Sequence, residues 1–197
     1  MSASEEQALQ LLDAGDIRGA TTWVLRAYGA EVCGYVRSLL RNENDADDAF
    51  AQAAHLVFVN LGRFRREASL RTWFYTIARH AAHRQRRQQE RLHQEPISDI
   101  AEAVAAAVRT ATLEFQKSGV KDAIATLRAS LSEEDRELLV LRVDRQLSWP
   151  EIAAILLGEA GPHSETELKR EAARARKQFE RAKERLRELA REAGLLG

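Results

Sequence analysis

The chain has 197 residues, 45% of them hydrophobic, and its 30 basic and 30 acidic side chains give a formal net charge of zero. This size and composition suffice for one or two small domains and exclude a disordered chain, while no apolar stretch approaches the roughly 18 to 20 residues that cross a bilayer. Cys33 is the single cysteine, which excludes an internal disulfide and a cysteine zinc cluster. The acidic start lacks the basic and apolar regions of a signal peptide, so we expect a cytoplasmic protein without membrane insertion.

The predicted elements are all helices. Pro and Gly are scarce, whereas Ala, Leu, Glu, Arg and Gln are abundant. In the first block, apolar periodicity and breaks predict helices near residues 4–13, 17–40, 45–61 and 69–91. The fold class is therefore predicted to be all-α.

Charge is distributed unevenly along this first block. Residues 1–60 hold nine acids and four bases, whereas residues 61–93 hold nine arginines and two glutamates. The acidic part should repel phosphate. The arginine-rich part can neutralise several phosphates at once, which gives salt-dependent binding to nucleic acid.

A middle stretch separates two modules. After Pro96, Ser98 can cap a helix over roughly residues 99–116, and residues 117–119 offer a second break. We therefore divide the chain into a helical domain over residues 1–92, a linker over 93–120 and a second helical domain over 121–197.

The second domain has the clearest local signals. Ser132 fits the start of a short helix ending near Asp144, and Ser148 to Glu151 is a capping box that opens another short helix. Ser164 to Glu167 is a further capping box, opening a long basic helix before Gly194. Two short helices, a turn and a basic helix predict a helix-turn-helix whose last helix enters the major groove, although an ordinary three-helix bundle shows the same pattern.

Two stretches of the sequence carry a family resemblance. Residues 62–79, GRFRREASLRTWFYTIAR, with the preceding acids Asp45, Asp47 and Asp48, resemble region two of extracytoplasmic-function (ECF) sigma factors. Residues 131–189, including SEEDRELLVLR and LSWPEIA, resemble region four of the same family. The resemblance implies a sigma factor that binds core RNA polymerase and directs promoter recognition, DNA melting and transcription initiation.

The arginine-rich run would then form the surface for the minus-ten element. An unstacked base needs a substitute partner, and an aromatic face supplies one worth roughly 1 to 3 kcal/mol. The resemblance implies that the loop over residues 65–69 receives a flipped base, whereas helical spacing also allows Trp73 and Phe64 to be core residues. The residues expected at this surface are Phe64, Arg65, Arg66, Ser69, Arg71, Thr72, Trp73, Tyr75, Arg79, His80 and Arg84.

The resemblance also assigns the acidic helix to polymerase binding. Asp45, Asp47, Asp48 and Gln52 are the candidates there, and acids that complement a helix dipole are the alternative reading. The sequence departs from the family in this helix, because Ala51 stands where glutamine is usual and Ala54 where an aromatic residue is usual.

The recognition helix can be aligned with the family in two registers, and the turn before it is lengthened. We prefer the register that starts near Glu165, because base-reading residues lie early in a recognition helix. Intrahelical ion pairs are the alternative role for its charges. The residues expected at the minus-thirty-five element are Lys169, Arg170, Arg174, Arg176 and Lys177.

Other classes of protein fit less well. We find no catalytic constellation and expect no enzyme, no cofactor and no metal, although His80 and His83 stand three residues apart. The expected partners are core RNA polymerase and promoter DNA, and an anti-sigma factor is an additional candidate. We expect no small-molecule substrate. A helical protein-binding adaptor or anti-sigma-like partner is the main alternative, and a one-domain helix-turn-helix repressor is a third possibility.

Overall fold

The computed structural model describes residues 5–40, 42–93, 130–158 and 163–192. All of the secondary structure in these ranges is helical, which confirms the predicted all-α class. The α-helices, numbered in chain order, are α1 (Glu6–Asp13), α2 (Ile17–Leu39), α3 (Glu43–Asn60), α4 (Leu70–His93), α5 (Glu133–Leu139), α6 (Trp149–Leu157) and α7 (Glu165–Glu192). A short 3-10 turn, Leu61–Arg63, follows α3, and a π turn, Val140–Asp144, follows α5.

The helix starts are set by local caps. The side chain of Asp16 accepts a hydrogen bond from the Gly19 amide at 2.8 Å, and Asn42 and Ser132 cap α3 and α5 in the same way. The first four helices begin and end within two residues of the predicted bounds. The helix predicted over residues 99–116 lies outside the described residues.

Residues of α1 to α4 form the first module. Its buried centre is made by aromatic and aliphatic side chains that recur along α2, α3 and α4 at helical spacing. The aromatic residues pack in pairs: Tyr35 lies 5.1 Å from Tyr75, and Phe50 lies 6.2 Å from Phe74, between ring centroids. This packing fixes α4 against α2 and α3.

Residues of α5 to α7 form the second module. Leu138, Leu147 and Ile152 are buried in it, and Phe179 of α7 meets the ring of Trp149 edge-on at 5.4 Å. The guanidinium groups of Arg142 and Arg176 lie over the same Trp149 ring. The middle of α7 is thereby held against α6, as in a helix-turn-helix.

The two modules pack against each other. Helix α4 contacts α6, and α2 contacts α5 and the π turn that follows it. Buried hydrophobic side chains of both modules belong to one continuous cluster. The loop between α3 and α4 therefore faces the second module as well as solvent.

Candidate nucleic-acid interface

The loop that joins α3 to α4 is anchored at both ends. At its start, the ring of Phe64 packs against Trp73, with 5.2 Å between centroids. At its end, Ser69 caps α4: its Oγ accepts from the Thr72 amide at 3.0 Å and donates to Thr72 Oγ1 at 2.9 Å. Both aromatic rings are half-buried, so they combine the predicted core role with a face at the loop.

A cavity of about 330 Å³ lies beside this loop, close to the lower end of the volumes of ligand pockets. The first module contributes the aromatic and basic wall, and the second module contributes the opposite wall. The lining residues include Phe64, Arg65, Thr72 and Trp73 on the first side, and Ala154, Gly158, His163 and Leu168 on the second.

The loop arginines point to solvent. The side chain of Arg65 is 64% exposed and its Nη1 lies 4.0 Å from a Glu67 carboxylate oxygen. Arg66 adopts the left-handed conformation, with φ of 62°, and pairs with Asp13. A non-glycine residue in this conformation is uncommon and turns the chain sharply. Arg84, further along α4, is also exposed.

Two of the arginines predicted to face DNA are engaged within the protein. Arg71 donates from Nε and Nη2 to the two carboxylate oxygens of Glu31, at 2.6 and 2.9 Å, and Nη2 also donates to the Arg145 carbonyl at 2.9 Å. Arg79 Nε donates to Glu137 Oε1 at 2.8 Å. These arginines therefore join the first module to the second.

Other predicted residues of α4 differ in accessibility. Thr72 and Tyr75 are buried, and burial raises the pKa of the Tyr75 hydroxyl well above its usual value. His80 is exposed on one side and touches Gly158 on the other, so that a Cβ on Gly158 would stand 2.7 Å from its Nε2. Burial, with the charge of Arg79, lowers the pKa values of His80 and His83, which keeps both rings neutral at pH 7.

The second basic surface lies on α7. The capping box forms as expected: Ser164 and Glu167 exchange hydrogen bonds, and those bonds to Ser164 lower the pKa of the Glu167 carboxyl. Lys169 pairs with Glu165 at 2.6 Å and Arg174 with Glu171 at 3.3 Å, within one helix. All five cations predicted for this surface are exposed: Lys169, Arg170, Arg174, Arg176 and Lys177.

The acids predicted to bind polymerase lie on α3. Asp45 accepts hydrogen bonds from the side-chain amides of Gln85 and Gln89, at 3.1 and 2.9 Å. Asp47 pairs with Arg37 at 2.9 Å. Asp48 is exposed and Gln52 is half-buried. The two outer acids, Asp47 and Asp48, thus remain accessible to a partner.

Sequence reasoning missed an apolar patch on the same helix. Phe58 and Val59 are 49% and 55% exposed. The signal was present, because neither residue falls on the buried stripe that Ala46, Ala49, Ala53 and Val57 form at helical spacing. Exposed apolar side chains on the same helix as accessible acids suit a protein-binding surface.

Sequence reasoning also missed the acids that pair with Arg71 and Arg79. Glu137 is buried and bonded to Tyr35 and Arg79, and Glu31 is bonded to Arg71. Within the described ranges, no group of three or more His, Cys, Asp and Glu side chains could hold a metal ion. In those same ranges no helix is long and apolar enough to span a membrane.

Comparison with known proteins supports the family resemblance. Residues 24–92, from α2 to the end of α4, match the family described as Sigma-70 region 2. No match was found among curated proteins. Among solved structures, the chain is similar to the sigma factor RpoE from Bartonella quintana, determined in complex with the anti-sigma factor NepR. The TM-score is 0.61 at 19% identity, over 89% of this chain and 97% of that one. The predicted resemblance is confirmed in sequence for region two, over residues 24–92, and the match in fold extends over 89% of the chain.

Proposed function

We propose that this chain is a sigma factor of the extracytoplasmic-function type, which binds core RNA polymerase and directs promoter recognition, DNA melting and transcription initiation. The observation that carries the proposal is the loop after α3, where exposed Arg65 lines a cavity together with the packed rings of Phe64 and Trp73, and exposed Arg66 follows in the chain. This arrangement can hold an unstacked base and its backbone. We propose no chemical reaction, because strand opening by binding needs none.

The minus-ten element would be read by the first module. The loop arginines attract the phosphates of the non-template strand, and the aromatic wall of the cavity accepts a base that has left the stack. Binding such a base offsets the loss of pairing and stacking in the duplex, so melting becomes favourable where the exposed base fits. Arg84 would extend the phosphate track along α4.

The minus-thirty-five element would be read by the second module. Helix α7 begins at Glu165, which places Lys169 and Arg170 in its second turn. Residues early in a recognition helix reach the base edges, and those further along reach the phosphates. We therefore assign base contacts to Lys169 and Arg170, and phosphate contacts to Arg174, Arg176 and Lys177.

Core polymerase would bind the outer face of α3. Asp47 and Asp48 supply negative charge there, and Phe58 and Val59 supply apolar surface that is buried on association. An anti-sigma factor is a further proposed partner, since the similar RpoE was determined with NepR bound.

Transcription with reconstituted polymerase tests the proposal. Core enzyme is captured on the tagged full chain and then used for run-off transcription on host genomic DNA. The variants are Arg65→Ala/Arg66→Ala and Lys169→Ala/Arg170→Ala, and the matched control is Arg185→Ala/Arg187→Ala, which removes two exposed charges from the far half of α7.

We expect the wild type and the control to bind polymerase and give the same promoter-selective transcripts, and each DNA-surface variant to lose them. Where two phosphate contacts are removed, the slope of log affinity against log salt should fall by about two. Failure of the wild-type chain to bind polymerase would reject the proposal and favour the helical adaptor.

A further inference from the structure

The first turn of α4 follows the minus-ten loop directly, and two different residues cap it. The amides at the start of a helix find no partner within the helix. The Thr72 amide donates to Ser69 Oγ, three residues earlier in the chain. The Arg71 amide instead donates to Glu5 Oε1 at 3.2 Å, and Glu5 lies just before α1, 66 residues away. The start of α1 therefore supplies a long-range cap for the helix that carries Trp73.

The side chain of Glu5 is held in a buried position. Glu5 is 2% exposed, and the same Oε1 also accepts from Tyr28 Oη at 2.9 Å. The Tyr28 ring packs edge-on against Trp23, with 5.8 Å between centroids. Burying a carboxylate costs free energy that hydrogen bonds must offset. The carboxylate is therefore bonded to α2 through Tyr28 and to α4 through Arg71, and it joins the two helices.

The other end of α1 also reaches the loop. Asp13, the last residue of α1, pairs with Arg66, whose backbone has the left-handed conformation. Both side chains of this pair are exposed, and an exposed ion pair contributes little stability. The buried contact at Glu5 is therefore the stronger of the two points at which α1 holds the segment from Arg66 to Arg71.

We propose that Glu5 is a positioning residue for the minus-ten loop and acts through the Arg71 amide. The inference rests on the proposed function, because the loop is the proposed site of the unstacked base. Without an acceptor for its amide the first turn of α4 frays more readily, and Thr72 and Trp73, which line the cavity, lose their fixed position. A site already held in its binding geometry loses less entropy when its ligand arrives. Glu5 therefore strengthens the binding of the base without contacting it.

A purely structural role and a positioning role predict different responses to the base. If Glu5 only stabilises the fold, its loss weakens every DNA contact alike. If Glu5 positions the cavity wall, its loss weakens binding only where a base occupies the cavity. A DNA that lacks this base but keeps its backbone separates the two roles, because the phosphate contacts remain.

The test measures binding of fork-junction promoter DNA to reconstituted holoenzyme by fluorescence anisotropy. The DNA is taken from a promoter mapped with the wild-type holoenzyme, and a second series carries one abasic site at each position of the single-stranded non-template segment in turn. The variants are Glu5→Ala, which removes the acceptor, and Glu5→Gln, which keeps an acceptor for both donors. Glu6→Ala, the same change at the exposed neighbouring residue, is the matched control.

We expect wild-type holoenzyme to bind the intact fork about tenfold more tightly than the fork that lacks the unstacked base, because the base stacks on an aromatic face. Glu5→Ala should weaken binding of the intact fork about fivefold and change binding of the abasic fork by less than about twofold, because a hydrogen bond to a charged acceptor is lost. Glu5→Gln and Glu6→Ala should stay within about twofold of wild type on both forks.

A second variant keeps Glu5 and removes one of its two hydrogen-bond donors. Tyr28→Phe, at nearly constant volume, should reduce the preference for the intact fork by about twofold. Thermal melting establishes that each variant is folded. Where Glu5→Ala does not fold, Tyr28→Phe carries the test.

The inference is overturned if Glu5→Ala keeps the full preference for the base, or weakens binding of both forks by the same factor. An equal loss in Glu5→Gln and Glu5→Ala also overturns it, as does an unchanged preference in Tyr28→Phe. Failure of the proposed function gives a different result. Wild-type holoenzyme then yields no promoter-selective transcripts, or shows no preference for a base at any melted position, and both proposals fall together.

Discussion

The two proposed DNA surfaces differ in what holds their cations. On α4, Arg71 and Arg79 pair with carboxylates that lie 40 and 58 residues away in the sequence. On α7, Lys169 and Arg174 pair with carboxylates only four and three residues away and stay exposed. The first set of cations is thus part of the tertiary structure, whereas the second set is a property of one helix.

This difference separates two ways of building a basic surface. Partly buried ion pairs between elements position a guanidinium and also join the elements, so the surface changes when the elements move. Exposed pairs along one helix contribute little stability and leave the cations ready for phosphate. The minus-ten surface would therefore depend on conformation, and the minus-thirty-five surface would not.

The largest expected effect is a loss of stability when the packing that supports α7 is removed. Phe179→Ala removes the ring that packs on Trp149, and truncating a buried aromatic residue costs about 3 kcal/mol. We expect the second module to unfold at lower urea concentration, as measured by tryptophan fluorescence and circular dichroism. Phe58→Ala, the same change at an exposed position of α3, should stay within about 0.5 kcal/mol of wild type. Equal losses in the two variants would show that α7 needs no packed support.

A double-mutant cycle sharpens the contrast between the ion pairs. For Arg71→Ala with Glu31→Ala we expect a coupling of about 1 kcal/mol in the free energy of unfolding, because both side chains are about a quarter exposed and bonded through two atoms. For Lys169→Ala with Glu165→Ala, an exposed pair, the coupling should be at most about 0.5 kcal/mol. Urea denaturation measures both cycles. A coupling as large at Lys169 as at Arg71 would contradict the proposed distinction.

The smallest effect is a dependence of stability on pH. Burial lowers the pKa values of His80 and His83 in the fold; Arg79, and for His83 also Arg86, lower them further, while Glu137 opposes the shift at His83. The unfolded chain then binds these protons more readily, so stability should fall as pH decreases through the usual histidine pKa, about 6.5, and stop falling below the folded values. Thermal melting between pH 7.5 and 5.5 tests this expectation. A His80→Gln/His83→Gln chain should show a flatter profile, and an unchanged profile would assign the dependence to other groups.

Most of the fold was predictable because helix signals are local. Ser148 and Ser164 open their helices through bonds to Glu151 and Glu167, three residues away. Tertiary partners carry no such signal: nothing near Arg79 in the sequence points to Glu137. The nine arginines in residues 61–93 predicted a basic surface, but their number alone could not separate arginines that face solvent from those that join the modules.

The length of α7 sets a geometric limit on its contacts. Its 28 residues, at 1.5 Å each, make a rod of about 42 Å, longer than the roughly 34 Å of one turn of B-DNA. Arg185 and Arg191 thus stand about 24 and 33 Å beyond Lys169 along the axis. A straight rod cannot follow a curving groove over that distance. If its first turns enter the groove, the far end, which holds five bases and four acids over residues 180–192, lies past the duplex and contributes almost no net charge to it.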